Sequence, residues 1–140
     1  MLTKTHPIIV TEFDHRRLEG LLGVLRARSS VDASYLSHLE EELDRADIVE
    51  PHDVPQNVVT MNSEVQLRDL DSGDQLHVKL VFPGTAAATQ GRVSVLAPIG
   101  LALLGGRETQ ELSWPTPNRV RRVRIERVLY QPEAAGDFTL

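Results

Sequence analysis

Leucines recur at three- and four-residue intervals near the start of the chain, the spacing of one face of a helix of about three turns. These positions are Leu18, Leu21, Leu22 and Leu25. Upstream, Thr11 is followed three residues later by Asp14. This is typical of a capped helix N-terminus, with Asp in the place of the usual Glu. The pattern therefore predicts a helix that begins at Thr11.

The same spacing returns after a polar segment at residues 26–32. The second apolar set is Leu36, Leu39, Leu43 and Ala46. Asp32 stands at the position expected for the N-cap of this helix. Each helix must bury its apolar stripe against a partner, so two short helices and a short loop predict an antiparallel helical hairpin, a short coiled coil. At about 13 residues each, the helices would be about 20 Å long.

After residue 54 the apolar period changes to two, which is typical of strands. The alternating positions are Val65, Leu67, Leu76, Val78, Leu80, Val93 and Val95. Pro51 and Pro55 disfavour continuation of a helix, so we place a boundary there, between a hairpin domain at 1–50 and a sheet domain at 54–140. The sequence DSGD at 71–74 supplies the turn of a hairpin. An antiparallel meander is the simplest topology, which makes the fold class α+β.

A short apolar stretch at residues 98–104 interrupts the strands. Pro98 suits the first turn of a helix, and Gly105 with Gly106 can end it. We therefore predict one or two helical turns there.

Two further strands follow this short helix. Leu112 and Trp114 predict the first, and Val120–Tyr130 is the second. In the last strand Val123 and Ile125 should face the core. Their neighbours Arg122 and Arg124 should then face outward. The tail at 131–140 contains Pro and Gly, and we expect it to be irregular.

Composition places the chain among ordinary globular proteins, with 140 residues, 41% hydrophobic and 25% charged. No apolar run reaches the roughly 18 residues of a membrane span, and the N-terminus lacks the apolar core of a signal peptide. The chain contains no Cys, which fits a reducing compartment. We therefore expect a cytoplasmic protein.

Charge is distributed unevenly along the chain. Residues 11–53 contain eleven acids and five arginines, a net of −6, whereas residues 54–140 are neutral overall. The net charge of −5 argues against a general DNA-binding surface, and we expect no strong sequence-specific binding of nucleic acid. The two parts of the chain should therefore have different tasks.

Motifs for catalysis, metals or cofactors do not stand out. The five His residues lack the spacing of a zinc site, and the sequence GGR at 105–107 lacks the P-loop pattern. A nucleophile with a neighbouring base is not indicated either, which leaves nucleotide or phosphoryl chemistry without support. We expect a protein that is not an enzyme and that has no metal and no cofactor.

Five arginines crowd into residues 119–127, the densest basic cluster of the chain. A strand would divide them between its two faces, and Glu126 interrupts them. A solvated face or a surface for an acidic protein is therefore favoured over a nucleic-acid groove, although weak contact with RNA stays open. The acids at 40–44 point in different directions around a helix and favour a solvated face.

Several segments resemble the Rnk family, the regulators of nucleoside diphosphate kinase. They are LDRA at 43–46, VVTMNS at 58–63, APIGLALLG at 97–105, and residues 126–138 with YQPEAAGD at 130–137. The resemblance covers nearly the whole chain, and its C-terminal residues are especially specific.

This family is related to the Gre transcript-cleavage factors, so the resemblance implies an FKBP-like sheet domain that docks beside the secondary channel of RNA polymerase. Gre factors also carry a long coiled coil whose acidic tip helps hold the catalytic Mg²⁺. The predicted hairpin is short, and its loop offers Arg26, Arg28 and a single Asp32. Stimulation of transcript cleavage is therefore not expected. The FKBP-like fold does not by itself imply prolyl isomerase activity.

In the Gre pattern, the segment that begins at Ala97 lies in the region that contacts polymerase. The resemblance thus suggests Pro98, Ile99, Leu101 and Leu103 as partner-binding residues. The alternative is that the leucines fill the core of the sheet.

Two functions stay open. The first is a transcription regulator that binds RNA polymerase near the secondary channel and competes with Gre factors, which would affect nucleoside diphosphate kinase levels. The second is a protein that binds nucleoside diphosphate kinase directly.

Overall fold

The computed structural model describes residues 7–27, 33–85 and 90–138. Two helices form where the leucine spacing predicts them, α1 (Glu12–Arg26) and α2 (Ala33–Arg45). The Thr11 hydroxyl caps α1, because it accepts a hydrogen bond from the backbone N–H of Asp14 at 3.0 Å. Asp32, the predicted cap of α2, lies outside the described residues. None of the helices in these ranges is long and apolar enough to cross a membrane.

The two helices pack with their apolar faces together. Leu21 is half-buried, and the other predicted leucines are buried: Leu18, Leu22, Leu25, Leu36, Leu39 and Leu43. His15, near the start of α1, has Nε2 3.1 Å from the carbonyl oxygen of Leu43, near the end of α2. Arg26, at the end of α1, forms an ion pair with Glu40. The start of one helix thus lies beside the end of the other.

A small parallel sheet pairs the segment that precedes α1 with the segment that follows α2. It consists of β1 (Ile9–Thr11) and β2 (Asp47–Val49), with Ile9 opposite Asp47. The leucine and strand patterns do not predict it, because three-residue strands are too short to show a period. A 3₁₀ turn at Pro51–Asp53 follows β2, at the predicted boundary.

The main sheet has five strands in the order β5-β4-β3-β7-β6. They are β3 (Glu64–Asp69), β4 (Gln75–Val81), β5 (Arg92–Ser94), β6 (Glu111–Pro115) and β7 (Val120–Tyr130). The predicted hairpin between β3 and β4 is confirmed, and its turn is held by the Asp69 carboxylate, which accepts from the backbone N–H of Asp71 and Ser72.

The predicted antiparallel meander is wrong in two respects. β5 runs parallel to β4, because the chain crosses over between them, and β7 pairs with β3 as well as with β6. The sheet is therefore mixed, and its centre depends on a pairing between distant parts of the chain. The fold class, α+β, agrees with the prediction.

The short helix after β5 is α3 (Pro98–Leu103), with Pro98 in its first turn as predicted. Gly105 follows it with a φ of 73°. A Cβ at Gly105 would lie only 2.3 Å from the Cβ of Ile8. Glycine is therefore needed here, since the segment before β1 packs directly on the end of α3.

One hydrophobic cluster contains side chains from the helices and from the main sheet. Fully buried members include Leu18, Leu39, Met61, Leu67, Leu103 and Ile125. Val123 and Ile125 face this core and Arg122 and Arg124 are exposed, as the alternation predicted. The division into domains at 1–50 and 54–140 stays a prediction.

The C-terminal tail is more regular than expected. A single helical turn, α4 (Pro132–Ala135), ends at Gly136, which has a φ of 77°. The buried Gln131 donates through Nε2 to the carbonyl oxygens of Pro55 and Val58, at 2.8 and 2.7 Å. The tail is thus fixed by a side chain whose role the local pattern does not reveal.

Candidate docking site

The four predicted contact residues lie on α3 but differ in accessibility. Pro98 is exposed and Ile99 is half-buried, whereas Leu101 is 8% exposed and Leu103 is 0% exposed. Leu101 and Leu103 therefore fill the core, which is the alternative that the sequence left open. The prediction of a partner contact is untested, and Pro98 and Ile99 are the members with accessible side chains. We call residues 95–99 the docking loop.

The docking loop is held tightly against the end of β5. The backbone N–H of Ala97 donates to the carbonyl of Ser94 at 3.0 Å, and that of Leu96 donates to the Ser94 hydroxyl at 3.0 Å. A Cβ at Gly100 would lie 1.9 Å from the same carbonyl oxygen of Ser94. Gly100 therefore allows α3 to rest directly on the end of the strand, which gives Pro98 a defined position.

Tyr35 on α2 also braces the docking loop. Its hydroxyl oxygen lies 2.5 Å from the carbonyl oxygen of Val95 and 2.8 Å from that of Ala97, so two acceptors share one proton. Burial raises the pKa of Tyr35, which keeps the phenol protonated as a donor.

This contact also fixes the position of the hairpin. Tyr35 lies only two residues after the start of α2, at the end of the helix farthest from Leu43. Its bonds to the docking loop tie that end of the helix to the main sheet. The described part of the hairpin therefore lies against the sheet.

Next to the docking loop, an arginine is stacked between two aromatic rings. The guanidinium of Arg17 lies 4.0 Å from the ring centroid of Phe13 and 4.6 Å from that of Phe82. Phe82 directly follows Val81, whose carbonyl accepts from the N–H of Val95 at 2.9 Å. The Arg17 stack and Tyr35 thus both lie near Val95, at the start of the docking loop.

Arg17 also neutralises a buried carboxylate on α1. Asp14 is 2% exposed, and its Oδ1 accepts from Arg17 at 2.5 Å while its Oδ2 accepts from the backbone N–H of Met61 at 3.2 Å. Burial raises the pKa of Asp14 to about 6, against the opposing effects of Arg17 and the Met61 N–H. Asp14 therefore completes only half of the expected capping box, since its carboxylate binds other groups.

Two of the resemblance-bearing segments meet beside Asp14. The Thr60 hydroxyl donates to the carboxylate of Glu133 at 2.6 Å and lies 2.9 Å from the Ser63 hydroxyl. Glu133 in turn raises the pKa of Asp14 through its negative charge. The segment at 58–63 and the C-terminal tail are thus joined by polar side chains, and both support α1.

The basic stretch at 119–127 is largely paired with acids. Glu126 binds Arg68 at 3.1 Å, and for Arg127 no ion pair is found within residues 7–27, 33–85 and 90–138. Arg121 also faces the ring of Trp114, at 5.5 Å. The remaining ion pairs join Arg119 and Arg122 to Asp71, Arg121 to Asp69, and Arg124 to Glu111.

Sequence patterns did not reveal Tyr35, Arg17 or Phe82 as parts of this region. Tyr35 and Arg17 lie beside apolar helix positions, and the leucine spacing gives them no role. The one local signal was the spacing from Asp14 to Arg17, which suits an ion pair on a helix. Across the part of the chain that the structure describes, no three His, Asp or Glu side chains converge as metal ligands would.

Comparisons with known proteins cover almost the whole chain. Residues 54–130 match the family model "Transcription elongation factor, GreA/GreB, C-term", and residues 6–49 match "Rnk N-terminus". The "Regulator of nucleoside diphosphate kinase" of Escherichia coli (strain K12) is 37% identical over 134 residues, which is 95% of this chain and 96% of that protein. "Transcription elongation factor GreA" of Hyphomonas neptunium is 27% identical over 131 residues, 89% of this chain and 83% of that protein.

A solved structure has a similar fold. "Prokaryotic transcription elongation factor GreA/GreB from Nitrosomonas europaea" superposes with a TM-score of 0.75 at 40% identity, over 88% of this chain and 99% of that one. The GreA/GreB match includes the docking loop, and the Rnk match includes Asp14, Arg17 and Tyr35. The chain therefore belongs to the GreA/GreB family of transcription elongation factors, with the N-terminal segment that is typical of Rnk.

Proposed function

We propose that this protein regulates transcription by binding RNA polymerase near the secondary channel. The supporting observation is that Pro98 is exposed at a rigid corner of the region that matches the GreA/GreB C-terminal domain. Gly100 and Tyr35 fix this corner from two sides. A preformed apolar corner binds with little loss of conformational entropy, which favours docking on a protein groove. The FKBP-like character of the domain is part of this proposal.

We further propose competition with Gre factors without stimulation of transcript cleavage. Helices of 15 and 13 residues are only about 22 and 20 Å long. The loop between them contains Arg28 and a single acid, Asp32, so its sequence offers no paired acids. Both residues lie outside the described residues. Two carboxylates close together are what a shared Mg²⁺ would require. Occupation of the rim of the secondary channel would then exclude a cleavage factor, and transcript cleavage would not be stimulated.

The effect on nucleoside diphosphate kinase would follow from altered transcription. The name of the Escherichia coli relative leaves a second candidate, direct binding to that kinase. The two candidates differ in the partner that the purified protein retains.

Fluorescence anisotropy of the labelled chain tests the proposal, with core RNA polymerase and nucleoside diphosphate kinase titrated separately. We expect saturable binding to polymerase and none to the kinase. Stalled elongation complexes incubated with the chain should release no cleaved RNA above background. Binding to the kinase alone would replace the proposal with the second candidate.

A further inference from the structure

Two basic side chains face each other at the β4–β5 edge of the main sheet. Lys79 on β4 and Arg92 on β5 are register partners in a parallel pair, so their Cα atoms are about 4.8 Å apart. Both belong to the face of the sheet opposite the buried Val78 and Leu80. Like charges directly across a sheet destabilise it, so the fold alone gives no reason for this pair.

The acid nearest to this pair is hydrogen-bonded to a histidine. Glu64 is the register partner of Lys79 on its other side, but its Oε1 lies 3.1 Å from Nε2 of His77. Arg92 donates through Nη2 to Gln90, and its Nε is buried without an acceptor among the described residues. The neighbouring residues 86–89 are Ala-Ala-Ala-Thr and contribute no carboxylate. Within the described residues, Arg92 is thus left without a carboxylate partner.

A cleft of about 280 Å³ opens at this place. Its lining includes Glu64, His77, Lys79, Gln90, Gly91 and Arg92. Gly91 has a φ of 73°, and a Cβ there would lie 2.8 Å from the carbonyl oxygen of His77. Glycine at this position lets the chain pass close to β4, which brings Arg92 near Lys79 and keeps the cleft open.

We propose that this cleft binds the phosphate group of a small phosphorylated ligand. The Lys79 ammonium and the Arg92 guanidinium would hold the phosphate oxygens between them. A phosphate carries close to two negative charges at neutral pH, so it matches two cations better than a ligand with a single carboxylate does. A volume of about 280 Å³ suits a small ligand. This site is separate from the docking loop and does not depend on polymerase binding.

Amide chemical shifts recorded during titration with inorganic phosphate test the site. Sodium chloride holds the ionic strength constant, and acetate serves as the carboxylate probe. We expect saturable shifts at Gly91 and Arg92 with phosphate, and at least tenfold weaker binding in Lys79→Gln. Arg124→Gln is the matched control on the same face, because Arg124 is paired with Glu111, and it should bind like the wild type.

Three results would overturn the proposal: shifts that rise without saturation, equal phosphate binding in Lys79→Gln, or acetate binding as tight as phosphate. The last would assign the cleft to a carboxylate ligand. Thermal unfolding in phosphate-free buffer supplies a second readout, since removal of the like-charge pair should raise the midpoint of Lys79→Gln above that of the wild type. A lower midpoint would show that Lys79 and Arg92 do not repel each other, which would remove the reason to expect a bound anion.

Discussion

The hydroxyl of Tyr35 lies 2.8 Å from the carbonyl oxygen of Ala97, so a side chain of α2 is bonded to the residue that precedes Pro98. The same hydroxyl lies 2.5 Å from the carbonyl oxygen of Val95. The N-terminal helices thus help to shape the loop that we propose as the docking site. Two segments matched by different family models form one structural unit at this point.

Tyr35→Phe should loosen the docking loop, because it leaves two carbonyls without their donor. We expect the free energy of unfolding to fall by about 1–2 kcal/mol, measured by urea denaturation. Tyr130→Phe is the matched control, since its hydroxyl binds the carboxylate of Asp137, which water can solvate instead. A loss in Tyr35→Phe no greater than in the control would contradict the bracing role.

Gly100→Ala should destabilise the protein strongly. Its Cβ would overlap the carbonyl oxygen of Ser94 at 1.9 Å, so α3 would have to move away from β5. We expect a loss of at least about 2 kcal/mol in thermal or urea unfolding. A Cβ at Gly23 on α1 meets nothing within 4 Å, so Gly23→Ala should stabilise by about 0.5–1 kcal/mol. Similar effects of the two substitutions would argue against close packing at Ser94.

Asp14 should make stability depend on pH in the weakly acidic range. Burial raises its pKa from 3.8 to about 6, so the folded state binds this proton more tightly than the unfolded state does. The resulting stabilisation is complete below about pH 3.8 and is lost as the pH rises through 6. The wild type should therefore lose up to about 3 kcal/mol relative to Asp14→Asn between pH 4 and 7.

Urea unfolding of both proteins at several pH values measures this difference. Titration of Asp69 does not interfere, because hydrogen bonds from Ser72 and Asp71 lower the pKa of Asp69 to about 2. Its effect has the opposite sign and falls in a more acidic range. Parallel stability curves for wild type and Asp14→Asn would show that Asp14 does not hold its proton as its burial requires.

Pro98→Asp should weaken binding to RNA polymerase at least about tenfold, a loss of about 1.4 kcal/mol. The fold should tolerate the change, since an acidic residue is favourable in the first turn of a helix. Val120→Asp is the control, because Val120 is 56% exposed at the start of β7 and lies outside the docking loop. Equal binding by Pro98→Asp and the control would place the docking surface elsewhere.

The helices, the β3–β4 hairpin, α3 and the inward residues of β7 could all be predicted from the sequence. In each case burial repeats with the period of the element, as for Leu18 and Leu22 on α1 or Val123 and Ile125 on β7. Local chemistry also sufficed at Thr11 and Pro98, where the element begins with a residue suited to that position.

Long-range pairings account for what could not be predicted. The β3–β7 pair and the parallel β4–β5 pair depend on how the chain crosses, which a period along one segment does not encode. The contacts from Asp14 to Met61 and from Tyr35 to Ala97 join residues 47 and 62 positions apart. The resemblance suggested the region that we propose for docking, but only the packing separates Pro98 from the buried Leu103.

The central claim is that the chain occupies the Gre-binding rim of RNA polymerase. Binding of the labelled chain to core polymerase, measured by fluorescence anisotropy with increasing amounts of a Gre factor, tests it most directly. Mutually exclusive binding, with the labelled chain fully displaced at saturating Gre factor, is the predicted result. Simultaneous binding of both proteins, or no binding of the chain to polymerase, would contradict the account.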